Sequence, residues 1–134
     1  MATVVTKTIR KFSDLDLKFI VHPSRKDINK HVDEMAVVYA VKNLVSLNSY
    51  EKPFHPEIAS NVRRLLFENM DVVTASALQR EIQEVIENFE PRARVIDVSV
   101  RPDYDRNSFE VTLKFSIVNR TEPIVVTFFL ERLR

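Results

Sequence analysis

Glycine is absent from this chain of 134 residues, where ordinary usage is about 7%. That one absence removes several enzyme classes. A phosphate-binding P-loop, a dinucleotide-binding turn and a nucleophile elbow all need glycine where the backbone approaches a ligand closely or takes positive φ. Cysteine is absent too, so there is neither a disulfide framework nor a thiolate metal site; this fits a reducing cytoplasm. Charge of one sign is not in excess. The net charge is +1, which leaves no electrostatic footprint for a nucleic-acid backbone. No apolar run approaches the roughly 18 residues of a membrane-spanning helix. Lys7, Arg10 and Lys11 stand near the N-terminus without an apolar signal-peptide core after them. Neither secretion nor membrane insertion is expected.

What remains is ordinary globular material, 45% hydrophobic and 29% charged, of a length that suits one domain, 1–134. Residues 1–26 show no clear period and read as an extended arm or irregular lead-in. A helical part is expected over 27–90. Its first helix starts near Asp27, or shortly after, and fades at Asn48-Ser49, with Ala36, Val37, Ala40, Val41, Leu44 and Val45 as one stripe. Pro53 and Pro56 stiffen the connection that follows. Glu57 then opens a short helix with Ile58, Val62, Leu65 and Leu66 on its apolar side. Thr74 or Ser76 caps the next helix, Ser76 and Gln79 having capping-box spacing. Leu78, Ile82, Val85, Ile86 and Phe89 form its buried face, and Pro91 ends it.

The period then switches from helical to two. Ile96, Val98 and Val100 alternate with polar residues, and so do Phe109, Val111, Leu113, Phe115 and Ile117. "PDYDRNS" and "NRTEP" read as turns, and "IVVTFFLERL" closes the chain. Helices first and hairpin-linked strands last predict an α+β fold with a three-stranded antiparallel sheet over 95–131.

Few residues look catalytic. His22, His31 and His55 have no metal-ligand spacing and read as surface or loop residues. Asp103, Asp105 and Asn107 imitate the start of a calcium loop, but that loop needs Gly sixth and Glu twelfth, where this chain has Ser108 and Lys114. Glu81, Glu84, Glu87 and Glu90 raise the question of a glycosidase pair, which requires two carboxyls roughly 5–10 Å apart across a cleft, one of them in an apolar site. Three of the four fall on the polar face of a helix. No metal, cofactor or catalytic set is expected.

Two features invite a binding role. From Ile124 to Leu130 the last strand has no charge, proline or glycine. Ile124, Val126, Phe128 and Leu130 face the core, while Val125 and Phe129 face the other way beside Thr127. As an edge strand it has protection only at its ends. Either another part of the chain covers it, or a second chain adds a strand there. The other feature is Glu90-Pro91-Arg92. The proline stiffens a segment in which Glu90, Arg92 and Arg94 tend to one side, and arginine offers a planar fork of donors. Chemistry alone favours a plain helix stop.

The order and spacing of three pieces add to this. "FSDLD" (12–16), "KPFHPEIASNVRRLLFENM" (52–70) and "NFEPR" (88–92) resemble, in sequence, the small baseplate wedge proteins of contractile-tailed phages, the sheath initiators. Relatives include the TssE component of type VI secretion baseplates, and the family has long carried a lysozyme-like label. "LFENM" is similar to the large T-even-like members. One departure is Ala59, where the family usually has glycine. The resemblance implies a structural protein of the virion tail, made in the host cytoplasm and present in six copies around the tail axis. It implies that Glu90, Pro91 and Arg92, with Arg94 beside them, contact the helical core bundle of partner wedge proteins. It also implies that the C-terminal sheet accepts strands from the tail sheath protein, so that the first sheath ring forms on it. The competing readings are a peptidoglycan-cleaving tail lysozyme with Glu90 as acid, and a peptide-binding adaptor with no tail at all.

Overall fold

The structure, a computed structural model, describes residues 12–133. The chain divides into two compact units after Val37. In the first, strand β1 (Ser13–Leu15) pairs antiparallel with β2 (Lys30–Val32), Asp14 standing opposite His31. A tight reversal lies between them, in which the His22 N–H donates to the Asp27 carbonyl and the Lys26 N–H to the His22 carbonyl. The helix expected from about Asp27 therefore begins later, and α1 covers Glu34–Ser46. The Asp27 carboxylate accepts from the adjacent Ile28 N–H and caps no helix among the described residues. Asp33, at φ 55°, turns the chain out of β2, and its carbonyl accepts from the Val37 N–H. Residues 1–11 of the expected arm lie outside the described residues; the remainder contains β1 rather than irregular chain.

Of the predicted α1 stripe, Ala36, Val37, Val41, Leu44 and Val45 are buried and Ala40 is half-buried. In the second unit Ser60 is buried and closes the end of this helix. Its hydroxyl donates to the Val45 carbonyl (2.7 Å) and its N–H to the Leu47 carbonyl (2.9 Å). Those tethers hold 57–60 out of helical geometry, so the short helix α2 is confined to Val62–Leu65 and does not open at Glu57. Ala59 has no positive φ, and alanine fits there without strain.

Helix α3 spans Val72–Phe89. Its cap is Asp71, not Thr74 or Ser76: the Asp71 carboxylate accepts from the Thr74 N–H at 2.7 Å, satisfying one of the orphan donors of the first turn. Leu78, Ile82, Val85 and Ile86 are buried, with Phe89 half-buried at the end of the same face. Strands β3 (Ala93–Asp103), β4 (Ser108–Ile117) and β5 (Pro123–Glu131) form one antiparallel sheet in the order β3-β4-β5. α3 packs against β3. The inward row of β4, from Phe109 through Val111, Leu113 and Phe115 to Ile117, is almost fully buried. Each such side chain contributes about 1.5–3 kcal/mol relative to leaving it in water, so α3 and β4 supply most of this unit's core.

One strand departs from simple alternation. The register of β3 shifts between Val95 and Asp97, leaving Ile96 as an extra residue. Ala93 and Val95 turn inward before the bulge, and Val98 and Val100 after it. Ile96, expected in the core, is thereby 52% exposed.

The missing glycines leave a trace in the backbone. Phe19, Lys26, Asp33, Tyr50, Phe54, Asn107 and Asn119 all take positive φ. Asn and Asp tolerate that region, but bulky residues held there cost about 1–3 kcal/mol each.

Candidate partner-docking surfaces

Glu90 ends α3. Its N–H closes the last helical turn on the Ile86 carbonyl at 2.9 Å, and its backbone then leaves the helix at φ −123°, ψ 82°. Pro91 follows in a turn closed by the Ala93 N–H on the Glu90 carbonyl. Within it Arg92 Nε donates to Glu90 Oε1 at 2.7 Å and Nη2 donates to Oε2 at 2.9 Å. This is a fork-on-carboxylate pair, the strongest ordinary ion-pair geometry. Glu90 is buried, while Arg92 is half-buried. The Arg92 carbonyl also accepts from the Val118 N–H, which fixes the turn to the end of β4. Glu90 and Arg92 therefore hold each other. Pro91 and Arg94 are the exposed members, and a shallow groove of about 380 Å³ runs beside them between Glu87, Val95 and Val118.

β5 is an edge strand. No described strand pairs with its outer side. Its burial alternates along its whole length, with Ile124, Val126, Phe128 and Leu130 half-buried toward the core face and Val125, Thr127 and Phe129 exposed. Arg106 lies over the Phe129 ring at 5.1 Å, and Thr127 stands opposite Thr112. The direction of the backbone groups follows from one hydrogen bond. The Arg132 N–H donates to Asn107 on the β4 side, so even-numbered residues turn their amides toward β4. Val125, Thr127, Phe129 and Glu131 then turn theirs to the free edge. Leu133 continues the alternation, and its N–H is already taken by the Leu66 carbonyl; Arg132 Nε holds the Glu68 carbonyl beside it. Pro123 at the other end has no N–H to offer. The open ladder is thus bounded on both sides.

Several other polar residues have local partners. Glu81 accepts from the Asn61 N–H and Glu87 from the Gln83 amide. Glu90 is committed to its ion pair with Arg92, although Glu87 lines the same shallow groove. In the imitation calcium loop Asp103 accepts from the Arg106 N–H and pairs with its guanidinium at 3.8 Å, so it is a hairpin turn. No group of three metal-ligating side chains occurs among the described residues. His22 accepts from the Ser24 N–H in its own turn, and His55 pairs with Glu57 at 3.0 Å. His31 differs from the surface reading: it lies half-buried on β2, 3.4 Å from buried Asp16. The Lys18 N–H, more than His31, holds the Asp16 carboxyl below its ordinary value. Among the described residues no helix is long and apolar enough to cross a membrane.

A helix-backed three-stranded antiparallel sheet, preceded in sequence by helices and a small hairpin, defines the class as a small α+β fold. The fold matches a chain of the anti-feeding prophage baseplate, with TM-score 0.72 and 18% identity over 82% of this chain and 88% of that one. It matches a chain of the post-contraction pyocin R2 baseplate with TM-score 0.54 and 16% identity, over 89% and 99%. A Geobacter sulfurreducens protein provisionally named a tail lysozyme shares the fold as well, at TM-score 0.68 and 11% identity over 73% and 89%; at that identity the likeness speaks of fold alone.

Sequence then narrows the class. The family model described as baseplate wedge protein gp25 matches residues 31–122. Baseplate wedge protein gp25 of enterobacteria phage T4 is 30% identical over 117 residues, spanning 84% of this chain and 85% of the T4 protein. The chain belongs to the gp25 baseplate wedge family, and it is a structural component of a contractile-tail baseplate.

Proposed function

We propose that this wedge protein works as a non-catalytic adaptor with two faces, one docked to partner wedge proteins and one that starts the tail sheath. The observation that carries the reading is the open β5 ladder. Its sister edge, β3, contains a bulge at Ile96 and a proline at 102, both devices that discourage strand addition. β5 has neither between Ile124 and Leu130. An incoming sheath strand would pair with Val125–Glu131, about 20 Å of ladder, and would cover the half-buried row of Ile124, Val126, Phe128 and Leu130. On the other face the Glu90–Arg92 pair keeps the turn rigid, so that Pro91 and Arg94 meet the helical core bundle in a fixed arrangement and little entropy is lost on docking. Six such copies would present a ring of strand-accepting edges.

Thr127→Pro tests the sheath half. The Thr127 N–H points to the free edge, so proline removes a donor that the folded chain does not use, and edge strands tolerate it. The variant should keep its thermal stability and enter baseplates, but those baseplates should carry no sheath. Val126→Pro, which deletes a donor to β4, should unfold the sheet. Sheathed tails with the Thr127→Pro chain present would exclude strand addition at β5. Cell-wall turbidity assays separate this reading from a lysozyme: clearing that is lost in Glu90→Gln would replace it.

A further inference from the structure

Two successive turns between α1 and α2 carry aromatic residues where the backbone asks for glycine. In the first, the Glu51 N–H closes on the Asn48 carbonyl at 3.3 Å, and Tyr50 is the third residue, at φ 66°. In the second, the His55 N–H closes on the Lys52 carbonyl at 3.3 Å; Pro53 is the second residue and Phe54 the third, at φ 65°. Proline followed by positive φ is the type II pattern, and its third position belongs to glycine or asparagine. Here it holds a phenylalanine that is 97% exposed, and the first turn holds a tyrosine that is 84% exposed.

The strain and the exposure answer no need of the fold. Neither ring is buried, so neither contributes to the core. The loop is nevertheless well fixed. The Glu51 carboxylate takes the Asn48 N–H at 2.8 Å and the Asn48 side-chain amide at 2.6 Å, and Glu57 is paired with His55. Both acids are thus turned to local partners. Lys52, between the two rings, and Arg64 are exposed. A rigid loop that displays two aromatics and a cation matches the anchors of protein interfaces, where aromatic side chains fill desolvated pockets.

We propose that Tyr50 and Phe54 form a two-pronged anchor that inserts into an apolar pocket of another baseplate protein, a pocket rimmed by carboxylates that meet Lys52. This surface is separate from the β5 edge and from the Glu90–Arg92 turn. Its partner is a baseplate subunit rather than lipid or a second copy, because the chain is a baseplate wedge protein and works inside that assembly.

The test compares hydroxyl-radical footprints of the isolated protein and of purified baseplates. Tyr50 and Phe54 should lose reactivity by roughly tenfold on assembly; unchanged reactivity at both overturns the proposal. In parallel, the double variant Tyr50→Gly with Phe54→Gly should fold with no loss of thermal stability, since glycine suits both backbones. Its incorporation into baseplates should fall by about tenfold or more, and Lys52→Glu should weaken incorporation in the same direction. Normal incorporation of the double variant overturns the anchor. Binding of the isolated protein to anionic phospholipid vesicles that is lost in the double variant would assign the loop to a lipid surface instead. A concentration-dependent dimer dissolved by the double variant would assign it to a second copy. Complete baseplates of the double variant that lack only sheath would likewise overturn the anchor, and would leave the β5 reading to its own test with Thr127→Pro.

Discussion

At the scale of single residues, the chemistry of this protein lies in how polar groups are kept occupied. Arg92 spends its fork on Glu90 two positions away. Arg92→Ala would leave a mostly buried carboxylate without its partner. Such losses reach about 3–5 kcal/mol for fully buried pairs; this pair is partly open to solvent, so a loss of about 1–3 kcal/mol in urea unfolding is expected. Lysine at 92 should recover only part of it, lacking the planar fork. Exposed Arg94 makes the cleaner test of docking: Arg94→Glu should fold as the parent does and fail to join the wedge, and full incorporation would remove Arg94 from the interface. Asp71 offers a pH signature. Its hydrogen bonds from Thr74 hold its carboxyl below the ordinary 3.8. A lowered folded value means the cap's contribution is complete above 3.8 and is lost as pH falls through that lower value. Asp71→Ala should therefore melt several degrees below the parent at neutral pH, with the gap closing as pH falls below the ordinary carboxylate value.

At the scale of elements, the sequence was most legible where periodicity ran long. The faces of α1, α3 and β4 follow directly from the spacing of their apolar residues. It was least legible where one local bond decides a boundary. The capping-box spacing of Ser76 and Gln79 drew the cap to Thr74 or Ser76, whereas one bond from the Thr74 N–H makes Asp71 the cap. The start of α1 was hidden because residues 30–32 form a strand only through a pairing with 13–15. The Ile96 bulge had a trace in the sequence: Val95 and Ile96 are adjacent apolar residues, which strict alternation cannot place on one face. Deleting Ile96 would restore regular alternation from Ala93 through Val98. The shortened strand should still fold, but with an unbroken outer edge it should self-associate, visible as concentration-dependent sedimentation. A monomeric deletion variant would show that Pro102 alone protects this edge. The Glu90-Pro91-Arg92 turn was legible as a stiff charged segment. That its two charges bind each other was not, since it depends on the helix ending at Glu90 with the turn folding back.

At the scale of the whole molecule, the chain is a baseplate wedge component whose described parts are organised around surfaces rather than a pocket. One sheet edge is defended and the other is open between Pro123 and the Leu66-capped end. The turn at the end of α3 is locked from within, and the loop before α2 holds its aromatics outward. The family and the fold could be reached from a handful of motifs in order, but the bounded ladder on β5 required the hydrogen bonds of Arg132 and Leu133. That ladder is the central claim, and a reconstruction of the assembled, sheathed tail tests it most directly. A strand of the first sheath ring should run along β5, with backbone hydrogen bonds to Val125, Thr127, Phe129 and Glu131 and none to Leu133. A reconstruction in which the outer edge of β5 is bare, or is covered by a wedge protein while the sheath sits elsewhere, would contradict it.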